Sequence, residues 1–142
     1  PIRAYTRIST SPIRQHCQIT APDAVVVLDP TLIGIVDFTE GIKDDGVLVV
    51  NTTASPGALR KKLGLNSGRV FTVDATRIAM DTIGRNIPNT PIIGALIKAI
   101  GAVSKEHVRE EIKKRMGSKA GKKMADANIA AFERAYKEVK EG

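Results

Sequence analysis

The stretch Ala24-Val25-Val26-Val27-Leu28-Asp29-Pro30 decides the fold class. Its apolar residues follow one another without alternation and stop at an Asp-Pro pair. An unbroken β-branched run of this length marks a strand buried on both faces, the condition of a parallel sheet covered on two sides. Two further runs repeat the pattern. They are Val47-Leu48-Val49-Val50, ending in Asn51-Thr52-Thr53, and Val70-Phe71-Thr72-Val73, ending in Asp74-Ala75-Thr76. Helix-like stretches, Thr31 to Phe38 and Pro56 to Leu63, lie between them. Strand, helix, strand, helix, strand predicts a parallel α/β sheet.

Toward the N-terminus the pattern changes. Ile2, Ala4, Thr6 and Ile8 alternate with Arg3, Tyr5 and Arg7, and Ile13 to Ile19 forms a second strand-like segment beyond a Ser9-Thr10-Ser11-Pro12 turn. This period of two predicts an antiparallel hairpin from which Arg3, Arg7 and Arg14 project. Toward the C-terminus the chain reads as helix. Ala75 to Ile83 closes at Gly84, and Asn89-Thr90-Pro91 has the form of a polar cap followed by Pro, opening a helix from Ile92 to Val103. Ser104 caps a further helix with Val108, Ile112 and Met116 on one stripe. Gly117 and Gly121 flank a short basic link, and a last helix runs from about Lys122 to Lys140. The expected architecture is a single α/β domain over residues 1–142. It has three α/β/α layers, a mostly parallel sheet, an N-terminal antiparallel hairpin and a helical C-terminal third.

Composition narrows the function classes. Of 142 residues 42% are hydrophobic and 4% aromatic, with no Trp, so the core must be aliphatic. Cys17 stands alone and only His16 and His107 are histidines, which argues against an internal disulfide, an iron–sulfur cluster or a zinc site held by this chain. A single thiol suits a reducing compartment, and a cytoplasmic location is expected. Pro91 to Val103, broken by Lys98, is too short for a membrane span. The net charge of +7 is spread along the chain, and with so few aromatic platforms a nucleic-acid surface is disfavoured.

No conventional catalytic apparatus emerges. Neither G-x-G-x-x-G nor G-x-x-x-x-G-K-[ST] occurs. Cys17 and His16 are neighbours on a strand-like segment and point to opposite faces, so Cys17 reads as a small buried thiol rather than a nucleophile. His107 reads as a solvated side chain, and Asp44-Asp45 as turn residues. Asp29, Asn51 and Asp74 follow the strands at their carboxyl ends, where open α/β sheets collect ligands, although helix capping explains them as well. Asn89-Thr90 offers helix-start amides suited to a phosphate or carboxylate, or simply a cap. The residues alone describe a binding or assembly domain. A stand-alone α/β module that binds a nucleotide-like ligand at its strand ends is one such reading.

Several segments in order resemble the gamma subunit of the 2-oxoacid:ferredoxin oxidoreductase family, the pyruvate synthase group especially. They are Arg3-Ala4-Tyr5-Thr6-Arg7-Ile8, Pro22 to Leu32, Gly46 to Thr52, Val73 to Ala79, Ile87-Pro88-Asn89-Thr90-Pro91-Ile92-Ile93-Gly94-Ala95, and Ala127 to Tyr136. The resemblance implies oxidative decarboxylation of a 2-oxoacid to acyl-coenzyme A and CO2, with electrons passed to ferredoxin. It implies alpha, beta and delta-type subunits as partners, ferredoxin met through the complex, and no nucleic acid or membrane. Thiamine diphosphate and iron–sulfur clusters are then held by partner subunits, no cofactor is bound by this chain alone, and coenzyme A sits at a subunit interface. By matched position Asn89 and Thr90, with Asn51 and Thr52, are the candidate coenzyme A contacts; Arg85 lies near by position, and no catalytic residue is assigned. The family pattern begins with a glycine-rich strand–turn–helix ending in Gly-Ala-Pro. Pro1 falls where that Pro would be, so this first βα unit is expected to be missing.

Overall fold

The computed structural model describes residues 1–142, and its centre is β2 (Val47–Asn51), every residue of which is buried. β1 (Ala24–Val27) pairs parallel on one side of it and β3 (Arg69–Val73) parallel on the other. The register sets Val26, Val49 and Phe71 in one row and Val25, Leu48 and Val70 in the next. Alternate rows face opposite sides of the sheet. Both sides are therefore apolar, as the unbroken runs require, and both must be covered.

Helices cover them. On one face Val47, Val49, Phe71 and Val73 pack against α2 (Ala75–Thr82), α3 (Asn89–Ile100) and α5 (Lys122–Glu138) through Ile78, Ile92, Ala95, Ala99, Ala131 and Ala135. On the other face Leu48, Val50 and Val70 meet α1 (Pro56–Leu63), which buries Leu59 against them. Full burial of one such leucine is worth about 2 kcal/mol. α4 (Lys105–Lys119) has no buried residue and rides on α5, tied to it by the Arg109–Glu133 ion pair at 2.9 Å. The three layers, the mostly parallel sheet and the helical C-terminal third agree with the sequence reading.

The boundaries of α1 follow from local chemistry. Ser55 Oγ accepts from the Ala58 amide, Pro56 occupies the first helical position, and Gly64 turns out of the helix at φ +65°. Each is a standard start or stop signal.

Two expected elements do not form. The antiparallel pair of the sheet is made by the C-terminal β4 (Lys140–Glu141) against β3, and not by a hairpin within residues 1–23, which contain no strand. A two-stranded ribbon needs a face to bury, and here Ile2 is 99% and Ile8 73% exposed. The two N-terminal segments are linked by no backbone ladder; the Arg7 guanidinium donates to Cys17 O at 2.7 Å and Gln18 O at 3.5 Å. The stretch Thr31 to Phe38 is likewise not an α-helix. It contains one 3-10 turn at Pro30–Leu32, after which Gly34 adopts φ +86°. Asp29 caps this turn by accepting from the Thr31 amide and hydroxyl, so the start signal is satisfied, but the left-handed Gly34 turns the chain out of the helical region after one turn. The loop still covers the sheet, with Ile33, Phe38 and Ile42 packed beside α1.

α3 and α5 lie nearly in backbone contact. A Cβ added at Gly94 would stand 2.2 Å from Phe132 O and 3.2 Å from Tyr136 N. Gly94→Ala should therefore destabilise the chain toward the upper end of the ~1–3 kcal/mol typical of overpacking. Gly117→Ala, in α4 with no atom within 4 Å, should stabilise by about 0.5–1 kcal/mol. Urea midpoints of the two variants check both signs.

β4 is held by the Arg69 Nε bond to Glu141 Oε1 at 2.8 Å and by the Gly142 amide bond to Val70 O at 3.0 Å. The hydrogen bond from Arg69 keeps the Glu141 carboxyl below its ordinary 4.5. A lowered carboxyl pKa stabilises the fold fully above the unfolded value, and that stabilisation is lost as pH falls through the folded one. Gly142 amide exchange should accelerate below pH 4.5 beyond the intrinsic rate, and Glu141→Gln should remove that step.

Candidate functional site

Asn51, the last residue of β2, is 1% exposed and committed to the fold. Its Nδ2 donates to Leu28 O at 2.9 Å and to Thr76 Oγ1 at 2.8 Å, and its Oδ1 accepts from the Thr76 amide at 3.3 Å. Both donors are used, and the side chain clamps the end of β1, the end of β2 and the start of α2. Beside it Thr52 is half-buried. Its amide extends the ladder to Val73 O, and its Oγ1 accepts from the Ala54 amide, which leaves the hydroxyl proton free to donate.

Asp29 and Asp74 complete this edge as turn and cap residues. Bonds from the Thr31 hydroxyl and amide hold the Asp29 carboxyl below its usual value. Asp74 Oδ1 accepts from the Arg77 amide at 3.0 Å and caps α2.

The start of α3 departs from expectation. Pro88 occupies the N-cap, no side chain caps the helix, and Asn89 and Thr90 lie within its first turn. Thr90 is buried, and its hydroxyl donates to Asn128 Oδ1 at 2.8 Å. Asn128 Nδ2 in turn donates to Met124 O at 2.9 Å. Thr90 therefore joins α3 to α5 from within the core. Asn89 is exposed, with its side chain bonded to no other part of the chain. Sequence reading missed Asn128 and Thr76. The available signal was a polar side chain set among Ala125, Ile129 and Phe132 on an apolar helix face, which requires a buried partner.

No hydrogen bond joins the Asn51–Thr52 pair to the Asn89–Thr90 pair. The last turn of α3 lies at the start of β3, where Arg69 Nη1 donates to Ala99 O. The Asn89 end of the helix thus points away from the edge where the strands begin. Among the candidates, Thr52 and Asn89 keep free hydrogen-bonding capacity, and Arg85 is exposed nearby in sequence. Neutral donors and a guanidinium can hold an anionic or polar ligand.

The remaining motifs sort plainly. Cys17 is exposed rather than buried, with Arg7 Nη2 3.8 Å from its sulfur. It lines an open groove of about 520 Å3 with Arg3, Tyr5, Arg7 and His16. His107 lies in the first turn of α4, where its amide donates to Ser104 Oγ. Asp44 accepts from Ser67 Oγ across a turn. Nowhere do three His, Cys, Asp or Glu side chains gather in a metal-binding arrangement.

Residues 1–138 match the family model described as pyruvate ferredoxin/flavodoxin oxidoreductase. The pyruvate/ketoisovalerate oxidoreductases common subunit gamma of Thermococcus kodakarensis is 46% identical over 132 residues, covering 93% of this chain and 71% of its own length. The pyruvate synthase subunit PorC of Thermotoga maritima is 44% identical over 140 residues, covering 99% of this chain and 72% of that one. The crystal structure of the pyruvate oxidoreductase subunit PORC from Thermotoga maritima aligns with TM-score 0.78 and 42% identity, over 87% of this chain and 67% of that chain.

The two asparagines should separate cleanly. Asn51→Ala removes three part-buried hydrogen bonds, those to Leu28 O and Thr76 Oγ1 and that from the Thr76 amide, and should cost about 1–3 kcal/mol. Asn89→Ala removes no internal bond and should change stability by less than about 0.5 kcal/mol, against the ~1 kcal/mol expected of a lost cap. Thermal unfolding of both variants tests this.

Proposed function

Because the chain belongs to the pyruvate ferredoxin/flavodoxin oxidoreductase family, we propose that it works as one gamma-type domain serving assembly and coenzyme A binding within its enzyme. It is a PorC-type subunit of a pyruvate oxidoreductase. The reaction that follows is oxidative decarboxylation of a 2-oxoacid, pyruvate in the first instance, with coenzyme A taking the acyl group and ferredoxin taking electrons through the complex. No helix is long and apolar enough to cross a membrane, and the proposed setting is a cytoplasmic hetero-oligomer.

One observation carries the assembly role. Residues 1–23 form no helix or strand and expose Ile2, Tyr5, Ile8 and Ile13 beside Arg3 and Arg14. Arginine, tyrosine and large aliphatic side chains are the types that anchor subunit interfaces. Alpha, beta and delta-type subunits are the proposed partners for this arm.

The side chains present do not fit thiamine diphosphate or an iron–sulfur cluster. The sole thiol sits exposed on the arm, and no acidic or thiolate cluster exists to hold a metal. These groups belong, on this reading, to the partner subunits, and no catalytic residue is assigned here. For coenzyme A the donors are suitable but few. Asn89, with Thr52 and the Arg85 guanidinium, can bind phosphate or amide oxygens, whereas Asn51 and Thr90 position the backbone that carries them.

Co-expression with the partner subunits tests both parts. The triple variant Ile2→Ser, Tyr5→Ser, Ile8→Ser should reduce co-purification at least ~10-fold while the isolated chain keeps its melting temperature. An intact complex would overturn the assembly role. Asn89→Ala should leave assembly unchanged and raise the coenzyme A KM about fivefold, the equivalent of one neutral hydrogen bond; an unchanged KM removes Asn89 from the site.

A further inference from the structure

The net charge looks evenly spread when the chain is counted in two parts, but one contiguous run carries cations alone. From Ile112 to Ala125 there is no acidic residue, while Lys113, Lys114, Arg115, Lys119, Lys122 and Lys123 all fall within this span. It forms the end of α4, the turn at Ala120-Gly121 and the start of α5. All six side chains are exposed. Only Arg115 has an ion-pair partner, Glu111 at 3.3 Å, and the five lysines have none.

Folding does not require this arrangement. Lys119 suits the C-terminus of α4, but Lys122 and Lys123 open α5, whose first turn has no acidic residue and no side-chain cap. Cations at a helix N-terminus oppose the helix dipole. A local conflict of this kind, with no compensating contact, is the mark of a functional surface.

We propose that the α4–α5 turn is a docking surface for the acidic face of a transiently bound protein. Lysines are strongly hydrated point charges, depleted from the cores of stable interfaces but effective in steering encounter. No large apolar side chain beyond residue 104 is exposed, so the surface lacks the anchor that a permanent subunit contact or a lipid bilayer would use. It also lacks aromatic platforms for bases, since residues 105–127 contain no Phe, Tyr or Trp. Charge complementarity without an apolar centre suits a fast, salt-labile complex. The proposal rests on these residues and is independent of family membership. The arm and this turn are distinct surfaces, one apolar and arginine-bearing, the other wholly cationic.

The test uses the full chain and labelled poly-L-glutamate as the acidic polypeptide, with a single-stranded oligonucleotide of equal charge as comparison. The variant Lys119→Gln, Lys122→Gln, Lys123→Gln is set against Lys61→Gln, Lys62→Gln, Lys137→Gln, which removes the same charge from exposed lysines elsewhere. The first set should weaken polyglutamate binding at least ~10-fold at low salt, the second less than ~2-fold, and the difference should vanish as the Debye length shrinks. The pair Lys122→Gln, Lys123→Gln, with Lys119 kept, should also raise the melting temperature by about 1–3 °C, because the dipole conflict at the start of α5 is relieved. Equal weakening in both sets would reduce the effect to net charge and overturn the proposal. Tighter binding of the oligonucleotide than of polyglutamate would replace it with a nucleic-acid surface, and a fall in melting temperature would return the lysines to a structural role.

Discussion

β2 has no exposed residue. It is hydrogen-bonded to a strand on each side and covered by helices on each face, so every polar group it carries must find a partner inside the protein. That constraint decides what Asn51 does. At the end of a fully enclosed strand its amide bonds to β1 and to the start of α2, and a ligand would have to compete with three internal hydrogen bonds. The same logic governs Thr90, enclosed between α3 and α5 and bonded to Asn128. Two side chains with the chemistry of a binding site are used to assemble the scaffold, and Thr52 and Asn89 beside them remain free.

Aromatic poverty shapes the helical layer. With few large rings to fill space, α3 and α5 approach through alanines and through Gly94, whose hydrogen lies against the Phe132 carbonyl. Phe132 itself is wholly buried. Close backbone packing between these helices substitutes for bulky side chains, and it leaves α4 outside, tied to α5 by the Arg109–Glu133 ion pair. The charged outer helix and its lysine turn are therefore free of any role in the core. The N-terminal arm is free in another sense, since its apolar side chains have no face of this sheet to cover.

Much of the architecture was legible from residues alone. The three parallel strands were readable because a sheet covered on both faces needs unbroken apolar runs, and this holds even for β1, which is only partly buried at the sheet edge. α1 was readable to its end residues because Ser55, Pro56 and Gly64 act locally. The failures have a common cause. The alternation of Ile2 to Ile8 is a β pattern, but pattern forms a strand only where a neighbour supplies hydrogen bonds and a surface, and β1 does not take this segment. At Thr31 to Phe38 the start signal at Asp29 works, but Gly34 at φ +86° turns the chain away after a single 3-10 turn. The cap expected of Asn89 or Thr90 is at Pro88 instead, and the Thr90 hydroxyl is used by Asn128, thirty-eight residues away in sequence.

The sequence by itself determined the parallel α/β class, the aliphatic core, the absence of a conventional catalytic motif and the resemblance to a gamma subunit. These follow from periodicity, composition and short-range signals, which are properties of neighbouring residues. Only the tertiary structure decided which polar candidates are available, that Asn51 and Thr90 are internal clamps, and that the five lysines of the contiguous basic run 113–123 find no ion-pair partner. Those outcomes depend on contacts between residues far apart in the chain, where burial forces every donor to find an acceptor and exposure leaves a cation without one.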